Sequence, residues 1–230
     1  MQLPTPLIPG RLLKRYKRFF TDVELDDGRV VTAHTPNTGS MRQCAVPGHR
    51  VLISPADDPK RKLKYTLELI RVNDHWVDTH TQRSNRLVEE ALRRGWIDEF
   101  HGYEVRAEYP FGDSRIDFYL EKGAEKTLLE VKNVTLCDEG TARFPDAVTT
   151  RGQKHLRELL AARQQGLRAV IFFLIQRGEA QRFAPADDID PEYGRLLREV
   201  VAGGVEALAY KTQVTPHENR VAERIPLVLA

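Results

Sequence analysis

The feature that most constrains this 230-residue chain is a change of period near residue 81. Before it, short runs rich in apolar residues are broken by turn residues, and positions 12–17, 21–25, 29–34, 51–54, 64–72 and 76–79 each read as a strand. After it, Leu87, Val88, Ala91 and Leu92 recur at helical spacing, with Ser84 or Asn85 available as a cap and Gly95 as a stop. Strands and helices present their apolar faces differently. The chain therefore divides into an all-β unit, residues 1–82, and a mixed unit, residues 83–230. In the first unit Asp27-Gly28 is a hairpin signal, because Gly accepts the positive φ of a type I′ turn, and Asn73-Asp74 is a weaker one. About five strands in so short a stretch predict a small closed barrel. An OB-fold fits, and an SH3-like barrel would read similarly.

Composition narrows the class. Hydrophobic residues at 41% and charged residues at 30% exclude a disordered or low-complexity chain. The longest apolar run, residues 169–175, is far short of the roughly 20 residues that span a bilayer, so no membrane association is expected. The start of the chain lacks a secretion signal, and two cysteines, Cys44 and Cys137, make no disulfide framework, which points to the cytoplasm. The net charge of +2 conceals an asymmetry. Residues 1–82 hold 13 Lys and Arg against 9 Asp and Glu, and the remainder holds 22 against 24. The excess is bunched in Arg11, Lys14, Arg15, Lys17 and Arg18 and in Lys60, Arg61, Lys62 and Lys64, with Tyr16, Phe19, Phe20 and Tyr65 interleaved. Two such clusters in one small unit predict a polyanion-binding surface. The segment Thr35-Pro36-Asn37-Thr38-Gly39-Ser40-Met41 offers hydroxyls and amides that either hold a phosphate or bond their own backbone.

In the second unit a helix is followed by strand candidates at 103–109, 115–120 and 127–131, a polar loop, a helix at 149–165, a strand at 169–175 apolar enough to be buried on both faces, a helix at 191–202 and a strand at 205–210. Alternation places Ile116, Phe118 and Leu120 on one face of their strand and Asp117 on the other. In the next strand Glu130 and Lys132 share the face opposite Leu129 and Val131. If the strands pair, Asp117, Glu130 and Lys132 meet in one cleft. Two carboxylates from neighbouring strands suit Mg²⁺ or Mn²⁺, and a lysine beside them can touch both water and phosphate. Chance supplies about one Glu-x-Lys in a chain of this composition, so the weight comes from its strand context. Asp, twelve residues, then Glu-x-Lys inside an α-β-β-β-α-β order resembles the PD-(D/E)xK nuclease superfamily. Pro145-Asp146 follows the Glu-x-Lys and is a decoy.

Helical geometry leaves Glu89 and Glu90 tied as the acid that reaches inward from the first helix. Gln153 and Lys154 lie in the first turn of the second helix, where they either contact water and phosphate or are simply solvated. The seven histidines, His155 among them, form no zinc pattern, and Cys137 has no basic partner beside it.

The blocks Arg11-Leu-Leu-Lys-Arg-Tyr-Lys-Arg18, Pro36-Asn-Thr-Gly-Ser-Met41, Asn85-Arg86-Leu87 with Glu90, Ser114-Arg-Ile-Asp-Phe118, Glu130-Val-Lys132, Phe144-Pro-Asp-Ala-Val-Thr149 and Arg151-Gly-Gln-Lys-His-Leu156 together resemble the sugar fermentation stimulation protein family, SfsA. The resemblance implies an N-terminal OB-fold-like barrel joined to a C-terminal α/β PD-(D/E)xK nuclease-like domain, DNA binding, and a link to sugar and maltose metabolism. It also selects Glu90 over Glu89 and adds Gln153 to Asp117, Glu130 and Lys132. Three functions compete: a Mg²⁺-dependent nuclease acting on DNA or RNA with little sequence preference, a non-catalytic DNA-binding regulator that retains the cleft, and a sugar-binding module. The oligomeric state is left open, a homodimer included.

Overall fold

The computed structural model describes residues 1–112 and 114–229. Its first unit contains β1 (Ile8–Tyr16), β2 (Phe20–Leu25), β3 (Val30–His34), β4 (Arg50–Pro55), β5 (Tyr65–Val72) and β6 (His75–Asp78). β1 pairs antiparallel with β2 and β4, β2 with β3, and β4 with β5. A short parallel contact, Ala33↔Tyr65 and His34↔Thr66, joins β3 to β5 and closes the barrel. That closure gives the five-stranded OB topology and decides between the two barrel types that strand spacing admits. Leu12, Val23, Val51, Ile53, Leu67 and Ile70 fill the interior. Asn73 and Asp74, at φ 47° and 64°, supply the paired positive φ of a type I′ turn between β5 and β6. At the Asp27-Gly28 hairpin only Gly28 is left-handed, φ 86°, so the stronger signal marks a hairpin but not that turn type.

The second unit runs α1 (Thr81–Arg93), β7 (Glu104–Phe111), β8 (Ser114–Lys122), β9 (Glu125–Val134), β10 (Leu136–Asp138), β11 (Thr141–Phe144), α2 (Thr150–Gln164), β12 (Arg168–Ile175), β13 (Arg182–Pro185), α3 (Pro191–Ala202), β14 (Glu206–Val214) and β15 (Asn219–Arg224). A mixed sheet in the order β7-β8-β9-β12-β14-β15 has its three central strands parallel. β12 is buried on both faces: Val170, Phe172 and Leu174 pack in the core with α1, while Ile171, Phe173 and Ile175 pack in the core with α2 and α3. The polar stretch after β9, expected to be a loop, instead forms the β10–β11 hairpin, which pairs with β13 in a small separate sheet. Helix α1 starts earlier than a Ser84 or Asn85 cap would place it, so both residues lie inside the helix; Gly95, φ 66°, follows its end as expected. Among the described residues no helix is long and apolar enough to cross a membrane.

Polar contacts lock the two units together. Gln43 Oε1 accepts hydrogen bonds from Cys137 N (2.8 Å) and from the fully buried Arg177 (2.9 Å), Ser40 Oγ donates to Asp146 Oδ2 (2.9 Å), and Asn219 Nδ2 donates to Asp78 Oδ2 (2.9 Å). Asp146 thus serves the junction between the units. Burial pushes the Cys44 and Cys137 thiols up, to about 12 and about 11, which makes both poor nucleophiles.

Candidate active site

β8 pairs with β9 from Lys122↔Glu125 as far as Phe118↔Leu129 and then parts from it, while β9 remains paired with β12 from Thr127 to Val134. Where the strands separate, two carboxylates take over backbone donors that need partners. Asp117 N donates to Glu130 Oε2 (3.3 Å), and Val131 N donates to Asp117 Oδ2 (2.7 Å). Each acid therefore bonds the other's strand. Side-chain alternation fails at the same place. Phe118 and Leu120 enter the core with α1, but Ile116 joins Tyr119 in the core with α2 and α3, which corrects the expectation that Ile116, Phe118 and Leu120 share a face. Glu108 on β7 records the distortion with φ 55°, between the ladder pairs Ala107↔Phe118 and Tyr109↔Ile116.

Lys132 Nζ donates to Glu130 Oε1 (2.7 Å) and lies 3.0 Å from His155 Nδ1, and that same ring nitrogen contacts Glu130 Oε1. One nitrogen cannot donate to Glu130 and accept from Lys132 at once. Arg151 Nε–H, which can only donate, points at His155 Nε2 over 3.4 Å and favours the neutral tautomer in which Nδ1–H donates to Glu130. His155 therefore holds the Glu130 carboxylate and leaves the ammonium N–H groups of Lys132 to other acceptors. Sequence reasoning passed over His155 because it sought metal-ligand spacing; the usable signal was its place on α2 beside Leu156 and Leu159, facing the sheet.

The two acids titrate in opposite directions. Burial and the neighbouring Glu130 charge push the Asp117 carboxyl up to about 6, against the pull of Val131 N–H, Lys132 and Asn85. Burial also acts to raise Glu130, but the His155 hydrogen bond and the Lys132 ammonium outweigh it and bring Glu130 down to about 2.

Two predicted site residues lie elsewhere. Glu90 pairs with the amino terminus of Met1 (2.7 Å) and with Arg94 (3.2 Å), and Glu89 pairs with Arg93, so neither acid joins the cluster. The residue of α1 that does is Asn85, whose Nδ2 donates to Asp117 Oδ1 (2.7 Å). Gln153 donates to both carboxylate oxygens of Asp190, the capping residue of α3 (3.0 and 3.1 Å), and so ties α2 to α3. Lys154 pairs with Glu158.

A cavity of about 660 Å³ lies above the cluster, between the two units. Lys132, Asn133, Ser84 and Asn85 line one side, and Arg15, Arg18 and residues 37–40 line the other. The Pro36–Met41 segment uses Asn37 Oδ1 on Gly39 N, Asn37 Nδ2 on Thr79 O and Ser40 on Asp146, so these groups build the wall. The basic clusters divide. Arg15 and Arg18 line this cavity, and Arg61 lines an adjoining one. Arg11 donates to Gly48 O, Lys14 pairs with Asp22 and Lys64 donates to Pro59 O, while Lys17, Lys60 and Lys62 are exposed.

Two family models cover most of the chain: the SfsA N-terminal OB domain over residues 13–78 and the sugar fermentation stimulation protein RE domain over residues 82–218. The chain belongs to the SfsA family. Relatives named sugar fermentation stimulation protein homolog include one from Syntrophotalea carbinolica, 65% identical over 230 residues and covering 100% of both chains, and one from Geobacter sulfurreducens, 55% identical over 99% of each. The structure of Pyrococcus furiosus SfsA in complex with Ca²⁺ matches with a TM-score of 0.89 at 25% identity, over 99% of this chain and 98% of that one. The whole two-domain SfsA architecture is thus shared.

Proposed function

We propose that this SfsA protein is a cytoplasmic nucleic-acid-binding phosphodiesterase that uses Mg²⁺ or Mn²⁺ held by Asp117 and Glu130. The observation that carries this reading is the meeting of two buried carboxylates, Asp117 and Glu130, with the Lys132 ammonium, which itself lines a cleft that Arg15 and Arg18 also line. The donor set suits such a cation. Among the described residues no three His, Cys, Asp or Glu side chains form a metal-holding group, but Mg²⁺ needs only one or two carboxylates beside water and phosphate oxygens. A positive charge between Asp117 and Glu130 would also relieve the repulsion that raises Asp117. That the Pyrococcus furiosus SfsA structure is a complex with Ca²⁺, another oxygen-seeking cation, supports this choice.

A bound divalent cation supplies a more acidic water and neutralises phosphate charge. The chain supplies the rest. Glu130, gripped by His155, keeps its carboxylate fixed, and Asn85 orients Asp117. Lys132, its side chain 11% exposed, offers an N–H to a phosphate oxygen in a place where little water competes, which favours the more negative transition state. Arg15 and Arg18 fix the strand's position without reading its sequence.

The test is turnover of single-stranded, duplex and nicked DNA and of RNA with Mg²⁺, with Mn²⁺ and with chelator. Metal-dependent cleavage above a Lys132→Ala control is expected, and its absence on every substrate rejects the enzyme. The rival reading, a regulator that binds without cutting, draws on one observation: Lys132 and His155 already bond the Glu130 carboxylate. Both readings share a salt dependence. With about four phosphates contacted, log K is expected to fall against log salt with a slope of about −3 to −4. A flat response in a titration from low to moderate salt rules out binding through this basic wall.

A further inference from the structure

We infer that the strand reaching Lys132 is single-stranded, with one of its bases stacked on Phe19. The inference rests on the phosphodiesterase reading for its substrate class and adds the form of that substrate. Glu130 is 2% exposed and does not line the cavity, whereas its partner Lys132 does, so a scissile phosphate has to reach inward past the lining to meet it. The opening is bounded by the barrel on one side and by the sheet and α1 on the other, and its volume of about 660 Å³ is that of a pocket for a drug-sized molecule. One or two nucleotides match that scale. A duplex keeps both strands on a stiff cylinder with grooves roughly 6 and 12 Å wide, which makes it a poorer fit to an opening of this size than a flexible single strand.

A second cavity, of about 450 Å³, adjoins the first and shares Asn37, Thr38 and Thr81 with it, and the inferred strand path passes from one to the other over these residues. Phe19, His34 and Arg61 line its far part. Phe19 lies in the β1–β2 hairpin turn, 44% exposed, with its ring parallel to that of His34 (centroids 6.4 Å, interplanar angle 4°). An aromatic left this exposed beside a cation is a stacking platform, and stacking tolerates any base. Arg15 holds the shared rim in place by donating to Asn37 O (2.8 Å) and Ser40 O (3.2 Å), so this part of the path is built before a strand arrives. A path that places one exposed aromatic among several cationic groups suits a flexible strand whose bases are free to turn outward.

The experiment measures fluorescence anisotropy of the full chain with a labelled mixed-sequence 12-nucleotide DNA, its blunt duplex and the RNA of the same sequence, in Ca²⁺, and cleavage of the same three in Mg²⁺. Single strands are expected to bind at least tenfold tighter than duplex, and Phe19→Ala to weaken single-strand binding by about 5- to 100-fold. RNA binding as well as DNA supports the inference, since stacking and phosphate contacts ignore the 2′-hydroxyl. Duplex bound or cut as readily as single strand overturns it while leaving the phosphodiesterase reading intact, as does a Phe19→Ala variant with unchanged affinity. Single-strand preference without cleavage of any form upholds the strand path and defeats the enzyme. No binding to any of the three defeats both.

Discussion

Asp117→Asn is expected to abolish metal-dependent cleavage and, at pH 8, to make the protein more stable than the wild type. The loss follows from removing one of the two charged ligands and is of the order of 10²–10³-fold or more, the scale of losing one electrostatic contact to a transition state. The gain follows from the direction of the Asp117 shift. Its carboxyl is raised to about 6 in the fold from an ordinary 3.8, chiefly by burial and then by Glu130, so ionisation opposes folding. Stability from this group is fully present below about pH 4 and is lost as pH rises through 6. Asparagine keeps an oxygen for Val131 N and carries no charge, so the variant avoids the loss. The expected gain is about 1–3 kcal/mol above pH 6.5, shrinking to nothing near pH 4. Glu130 behaves oppositely. Its stabilisation is present above its unfolded value and is lost as pH falls toward 2, in both proteins, so the difference between their stability curves isolates Asp117. Thermal unfolding from pH 4 to pH 8 measures it. Ca²⁺ provides the control, since a cation that binds only the folded site raises the midpoint of the wild type and should leave Asp117→Asn nearly unmoved. A variant less stable than wild type at pH 8 would mean that the carboxylate charge is welcome in the apo cleft and that no cation is needed there.

What was legible in the sequence follows from which contacts are periodic. Asp117, Glu130 and Lys132 could be brought together because strand alternation fixes facing over a few residues, and that local rule survives in β9, where Leu128 and Val134 join one core and Leu129 and Val131 the other. It did not reveal why the acids meet, because the parting of β8 from β9 depends on β12 holding β9 in place, a pairing between segments about 40 residues apart. Glu90 shows the limit on helices. The period left two acids equivalent, and the contact that occupies Glu90 comes from Met1, far away in sequence. Gln153 shows the same limit, its hydrogen-bond partner being Asp190, the cap of another helix 37 residues away. The barrel strands were legible through their turns, whereas closure rests on the two-residue β3–β5 contact that no pattern announces. β10, β11 and β13 are short and carry Arg and Asp among their apolar residues, so their small sheet resembled loop sequence.

Arg83→Met is expected to lower stability by about 3–5 kcal/mol, with the unfolding midpoint falling on the order of 10 °C. The Arg83 guanidinium is buried at the start of α1, bonded to Glu68 on β5 and to Asp78 on β6 (2.9 Å to Oδ2). Both acids are themselves buried and engaged further: Glu68 accepts from Ser54 Oγ (2.6 Å), and Asp78 from His80 N (3.0 Å) and from Asn219 Nδ2 on β15 (2.9 Å). Burial alone would lower the Arg83 pKa, yet Asp78 and then Glu68 more than compensate and raise it, so the cation is held firmly. Methionine fills much of the same volume but leaves two carboxylates in a dry seam with no positive charge between them, and those orphaned charges account for the loss. Adding Glu68→Gln and Asp78→Asn to Arg83→Met should then recover much of the stability, which separates electrostatics from packing in denaturant unfolding curves. A loss below about 1 kcal/mol in the single variant would show that water reaches the seam. The consequence reaches the cleft. Arg83 anchors the first turn of α1, and Asn85, two residues on, orients Asp117, so cleavage by Arg83→Met should decline at temperatures where the protein is still folded.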